Sequence, residues 1–180
     1  MFEAGDYQDN YSWKVITWDG YEWSTSYSIT RTIFIDSQVV LTLINDTTNF
    51  GTMLPNDKND TTDDSPNPLL LENDGNCYVN VNLSSSGLLW ESLPGQGPSN
   101  YYLYKVDRFN EWDSFNYGQS QTSWAQAPIT NFTSVVSQLN YTAGNNRSEI
   151  DINVTVPGDE PSGSKSSLLS FTGYYVHDPS

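Results

Sequence analysis

Eight asparagines in this chain stand two residues ahead of a serine or threonine with no proline between: Asn10, Asn45, Asn59, Asn82, Asn131, Asn140, Asn146 and Asn153. That spacing is the N-glycan acceptor motif, and the number is roughly twice what the residue frequencies alone would give. A second set of candidates lies in NDKNDTTDDSPNP, residues 56–68. Asp57, Asn59, Asp60, Asp63 and Asp64 offer hard oxygen donors at close intervals, the chemistry Ca²⁺ prefers. The run lacks the loop glycine and the closing bidentate glutamate of an EF-hand. The sequence therefore asks for no cofactor, and Ca²⁺ is the one ion this loop suits. A third set is aromatic: Trp18, Tyr21, Trp23, Trp112 and Trp124 could stack on the apolar faces of pyranose rings while neighbouring Asp and Asn bond the hydroxyls.

Catalytic devices are poorly supplied. The one histidine, His177, stands three residues from the last residue, and the one cysteine, Cys77, has no partner for a disulfide or a thiolate metal site. Cys77 shares the apolar parity of its strand and reads as a small buried hydrophobe. Carboxylate pairs for glycoside hydrolysis need a Glu set in an aromatic strand, and none is seen. The expectation is a protein that is not an enzyme.

Elements to hold these groups follow from periodicity. In PLLLENDGNCYVNVNLSSSGLLW, residues 68–90, Cys77, Val79, Val81 and Leu83 alternate with Tyr78, Asn80, Asn82 and Ser84. A period of two is that of a half-buried strand. The Asn73-Asp74-Gly75-Asn76 stretch tolerates positive φ, so Leu69–Leu71 and the alternating strand are expected to form a hairpin. EIDINVTVP repeats the pattern, with Ile150, Ile152, Val154 and Val156 on one parity and Asp151, Asn153 and Thr155 on the other. By this reading Asn82 and Asn153 lie on the polar faces, where a sugar could project.

Elsewhere, SWKVITWDGYEWS, residues 12–24, reads as a strand, an Asp19-Gly20 turn and the start of a second strand. YSITRTIFIDSQVVLTLIN, residues 27–45, reads as two strands broken near Asp36-Ser37. Residues 101–106, 132–141 and 167–176 supply further strands, with 107–128 aromatic and irregular. No apolar i, i+3, i+4, i+7 pattern is long enough for more than a short helix. Many short strands between Gly, Pro, Asn and Asp turns predict an all-β, antiparallel β-sandwich with long loops and little helix. Its expected division is an aromatic N-terminal segment over 1–26, available for contacts between subunits, and a single sandwich over 27–180.

The chain has 180 residues and a net charge of −15, with 7 basic against 22 acidic side chains. Such a surface repels phosphate backbones and anionic membranes, so nucleic acid is excluded as a partner. Charged residues are only 16% of the chain because Ser, Thr and Asn carry most of the polarity, a balance suited to a secreted surface. No apolar run approaches the length of a membrane span. MFEAGDYQDNYSW carries neither a basic n-region nor an apolar h-region, and together with the sequons this favours a mature extracellular or cell-surface chain.

PLLLENDGNCYVNVNL resembles the N-x-G-N and alternating Val and Asn pattern of secreted Ig-like sandwich domains in archaeal and bacterial surface proteins. EIDINVTVPGDEPSGSKSSLLSFTG is similar to their closing turn and strand. Residues 50–90 and 149–173 carry the likeness, which extends to subunits of TasA-type filaments and of archaeal pili and threads. The resemblance implies an Ig-like or jelly-roll-type sandwich and a structural role in a filament, pilus-like fibre or surface layer, as a homo-oligomer or polymer joined by a strand or the N-terminal segment. The competing class is a carbohydrate-binding module or adhesin, with glycans as partners. Coplanar exposed aromatics would mark the second class, and an unpaired strand or apolar groove the first.

Overall fold

A computed structural model describes residues 10–87, 89–93, 99–129 and 131–176. His177 lies outside them. In chain order the strands are β1 (Asn10–Trp13), β2 (Arg31–Phe34), β3 (Leu41–Asn45), β4 (Lys58–Asp60), β5 (Leu69–Asn73), β6 (Val79–Ser85), β7 (Tyr102–Arg108), β8 (Ala125–Gln126), β9 (Thr133–Leu139), β10 (Arg147–Thr155) and β11 (Leu169–Tyr175). One 3₁₀ turn, Tyr117–Gln119, is the only helical element among the described residues. The protein is all-β and sandwich-like, with antiparallel strand pairing throughout its ladders. No helix among the described residues is long and apolar enough to cross a membrane.

Two sheets face each other across one core. The larger has the order β3-β5-β10-β7-β8, with β4 also on β10, and the smaller has the order β11-β6-β9. Leu69 and Leu71 of β5, Tyr104 and Val106 of β7, and Ile150, Ile152 and Val154 of β10 meet Val79, Val81 and Leu83 of β6 and Val135, Val136 and Leu139 of β9. The alternation at 77–83 holds: Cys77, Val79, Val81 and Leu83 are buried. Asn80 and Asn82 on the other face are half-buried, not fully exposed. Asn80 Oδ1 accepts the Gln138 N–H across the pair with β9.

The hairpin expected at 69–83 does not form. β5 pairs with β3 and β10, whereas β6 pairs with β9 and β11, so the turn between them is an arch that carries the chain from one sheet to the other. Asn73 builds the corner. It is fully buried, its Nδ2 donates to the carbonyls of Cys77 and Leu139, and its Oδ1 accepts the Gly75 N–H. At Gly75 a Cβ would stand 2.2 Å from the Gln38 carbonyl, so the residue after the corner has to be glycine. Asn-Asp-Gly serves an arch as readily as a hairpin.

The acidic loop also departs from expectation, since part of it enters the large sheet. β4 and β5 occupy successive stretches of the same flank of β10, and Thr61 fills the gap between them. Its N–H donates to the Ile152 carbonyl, while its hydroxyl accepts the Ile152 N–H at 3.0 Å and donates to Asp151 Oδ1 at 2.7 Å. One threonine thus supplies ladder bonds where a strand is interrupted.

Candidate functional site: a projecting aromatic hairpin

β1 and β2 form a separate two-stranded sheet, with Tyr11 opposite Ile33 and Trp13 opposite Arg31. The pairing reaches Phe34, past the boundary expected at residue 26. At the tip, Asp19 Oδ1 accepts the N–H groups of Tyr21 and Glu22, and Gly20 takes φ +102°. Those bonds to Glu22 and Tyr21 hold the Asp19 carboxyl below its ordinary range. Trp18 bridges Trp23, and their rings lie 5.2 Å apart at 47°. Ser24 and Ser28 lace the middle: each donates its N–H across the hairpin, to Thr17 O and Val15 O, and accepts through its hydroxyl from the same residue's N–H.

This hairpin carries much of the molecule's exposed apolar surface. Val15, Trp18, Trp23, Tyr27 and Ile29 are exposed, and Tyr21 is 91% exposed. Ile33 and Phe34 are adjacent on a strand and so point to opposite faces. Both are open, at 43% and 53%, so neither face is covered. An isolated two-stranded hairpin is marginal in water, and a contiguous apolar patch marks a place of contact.

Of the five aromatic candidates, Trp18 and Trp23 are the two brought into ring contact among the described residues. Trp112, 77% exposed, lies 4.9 Å from the Arg108 guanidinium, which also faces Tyr117 at 4.3 Å. Trp124 sits 5.5 Å from the Lys105 ammonium. The inclined pair at the hairpin tip is no flat stacking platform.

The sequons divide by burial. Asn59 and Asn131 are exposed, and Asn45 and Asn82 are half-buried. Of Asn10, only the backbone is described. Asn140, Asn146 and Asn153 are buried, contrary to the outward face expected for Asn153. Asn153 is 2% exposed because β4 flanks that stretch of β10, and Asp60 Oδ2 takes its amide. Asn146 Nδ2 is committed to Glu72 and the Asn73 carbonyl, and Asn140 Nδ2 to the Asp113 carbonyl.

Four of the five tentative Ca²⁺ donors accept hydrogen bonds within local turns. Asp57 accepts from Leu54 N–H, Asn59 from Asp60 N–H, Asp60 from the Thr62 N–H and hydroxyl, and Asp63 from Ser65 N–H. Asp64 takes a positive φ of 60°. Among the described residues no group of three or more His, Cys, Asp or Glu side chains is placed to hold a metal.

The sequence reading missed an ionic cluster on the large sheet. Lys105 pairs with Asp107 at 2.7 Å and with the buried Asp151 at 3.1 Å. Burial alone would lower its pKa, but the hydrogen bonds to Asp107 and Asp151 raise it. Glu149 shares this strand face with Asp151. Burial, followed by the charges of Asp151, Asp64 and Asp107, pushes its carboxyl up to about 7, with Lys105 opposing. Two acids at i and i+2 in EIDIN were the available signal.

No protein-family model, curated protein or solved structure matches the chain. Its class is set by its own architecture: an all-β, sandwich-like protein bearing an exposed two-stranded arm.

Proposed function

We propose that this protein is a non-catalytic structural subunit of an extracellular assembly, a filament, pilus-like fibre or surface layer, in which the hairpin over 10–34 makes the contact between subunits. The observation that carries the reading is the open Ile33 and Phe34 pair, together with exposed Val15, Trp18, Tyr21, Trp23, Tyr27 and Ile29 on an element with no core of its own. The sequons and the Ser, Thr and Asn-rich surface support an extracellular setting. The strong negative charge disfavours indiscriminate clumping, so association runs through the arm.

Sedimentation velocity and negative-stain microscopy of the full-length chain test the reading. Wild type is expected to form concentration-dependent oligomers or fibres. The triple variant Trp18→Ser, Trp23→Ser, Phe34→Ser should remain monomeric with an unchanged melting temperature. A wild-type chain that stays monomeric at millimolar concentration, or a triple variant that assembles normally, refutes it.

A further inference from the structure

The two seams of the sandwich differ. One is laced shut: the Gln121 carbonyl accepts the Val106 N–H of β7 at 2.7 Å, and its own N–H donates to the Val135 carbonyl of β9 at 2.9 Å, so a single residue joins both sheets. Asn116 N–H donates to Ser137 O, Ser120 Oγ accepts the Ser137 N–H, and Asn140 N–H donates to Ser114 O, continuing the cover along β9. β8 covers the edge of β7.

At the other seam, β3 and β11 lie together, since a Cβ on Gly173 would stand 2.8 Å from Leu41 Cδ1 and from Val79 Cγ1, and 3.0 Å from Val39 Cγ1. Each strand has one partner among the described residues. The Leu168 carbonyl accepts the Ser86 N–H, and the Val176 N–H donates to Tyr78 O, so the even-numbered residues of β11 bond to β6. By the alternation of an antiparallel ladder, the N–H and C=O of Leu169, Phe171, Gly173 and Tyr175 point away from β6, to the edge that pairs with no described strand. Leu168, Tyr174 and Tyr175 are exposed along it. A seven-residue edge without charge, proline or bulge is a template for another strand.

Charge identifies the occupant. Residues 35–46, 73–87 and 168–176, which form this seam, contain Asp36, Asp46 and Asp74 and no Lys or Arg. The arm over 10–34 contains Lys14 and Arg31 against Asp19 and Glu22, so it is neutral on a chain of net charge −15. It can approach an acidic seam that repels the rest of a second molecule.

We propose that the open edge of β11 receives the hairpin of a second copy, so that the three-stranded sheet of one subunit continues into the two-stranded sheet of the next. The inference rests on the assembly reading above. Donor and acceptor are different surfaces, so the contact is head-to-tail and propagates.

The test uses three full-length variants. Tyr175→Pro removes one outward N–H and leaves the β6 ladder intact. Ser170→Lys with Tyr174→Lys places two cations on the exposed face of the edge, where they repel Lys14 and Arg31. Ile29→Ser with Ile33→Ser disables the donor. Each should weaken self-association at least about tenfold, the loss of a buried contact at the centre of an interface. An equimolar mixture of the donor variant with either acceptor variant should stop at a 1:1 dimer, because one intact donor meets one intact acceptor. If both acceptor variants assemble like wild type while the donor variant does not, the β11 site is wrong and the arm reading stands. If wild type never associates, both fall. If all variants are monomeric and the mixture forms no dimer, the head-to-tail contact is wrong.

Discussion

Glu149→Gln should stabilise the protein at neutral pH and leave it unchanged in acid. Folding lifts the Glu149 carboxyl from 4.5 to about 7, through burial and then the carboxylates of Asp151, Asp64 and Asp107. A carboxyl raised by folding holds its proton more tightly in the native state. Ionised Glu149 therefore destabilises the fold. The penalty is absent below about pH 4.5, grows as pH rises, and is complete above about pH 7. At about 1.4 kcal/mol per pH unit the interval sets an upper bound of about 3 kcal/mol. The side chain is partly open to water, and screening reduces this to about 1–2 kcal/mol. Glutamine keeps the shape and removes the charge. Urea unfolding of wild type and variant at pH 4.0 and pH 8.0 measures the difference, and subtraction removes the titration of every other acid. The variant should match wild type at the lower pH and exceed it by about 1–2 kcal/mol at the higher. Equal differences at both pH values, or a less stable variant at pH 8.0, would refute the placement of Glu149 among these charges.

Thr61→Val strips the hydroxyl that serves the Ile152 N–H and the Asp151 carboxylate. Leaving the buried Ile152 N–H unsatisfied and the Asp151 carboxylate with Lys105 alone should cost about 2 kcal/mol in chemical denaturation, and Thr61→Ser should restore most of it. At Glu160 burial opposes ionisation, but hydrogen bonds from Lys165, from the Ser92 hydroxyl and N–H and from the Glu91 N–H hold the carboxyl at about 2. Its contribution is present above pH 4.5 and is lost as pH falls through about 2, so Glu160→Gln should lower the melting temperature at pH 7, with the difference shrinking as pH falls toward 2. Protein from its natural source should exceed 20.2 kDa by intact mass, with peptide mapping placing sugars at Asn59 or Asn131 and none at the buried Asn140, Asn146 or Asn153.

Periodicity made the strands legible. Val79, Val81 and Leu83, and Ile150, Ile152 and Val154, point to the core as their alternation requires. Alternation assigns a face and leaves the partner open, which is why Leu69–Asn73 and Val79–Ser85 read as a hairpin and fold into opposite sheets. Burial on the second face of β10 was hidden for a related reason. Asp151 and Asn153 look like solvent-facing residues until Thr61 and Asp60, some ninety positions earlier in the chain, are brought against them. The aromatic arm was legible in its tip, where Asp19-Gly20 turns the chain. Its length was not, because Tyr27 to Phe34 resemble the core strand that follows.

The position of β10 has a kinetic consequence. β4, β5 and β7 all pair with it, so Asp60 waits for Asn153, Leu69 for Ile150 and Tyr104 for Ile152. β6 likewise waits for β11. Few of these ladders close between neighbours in the chain, so loop-closure entropy is lost before contacts reward it, and refolding belongs in the millisecond-to-second range of non-local β proteins. During synthesis the large sheet has no centre until residue 147 onward has left the ribosome. The aromatic arm closes through its own Asp19-Gly20 turn and pairs with neither sheet, so it waits for none of these partners.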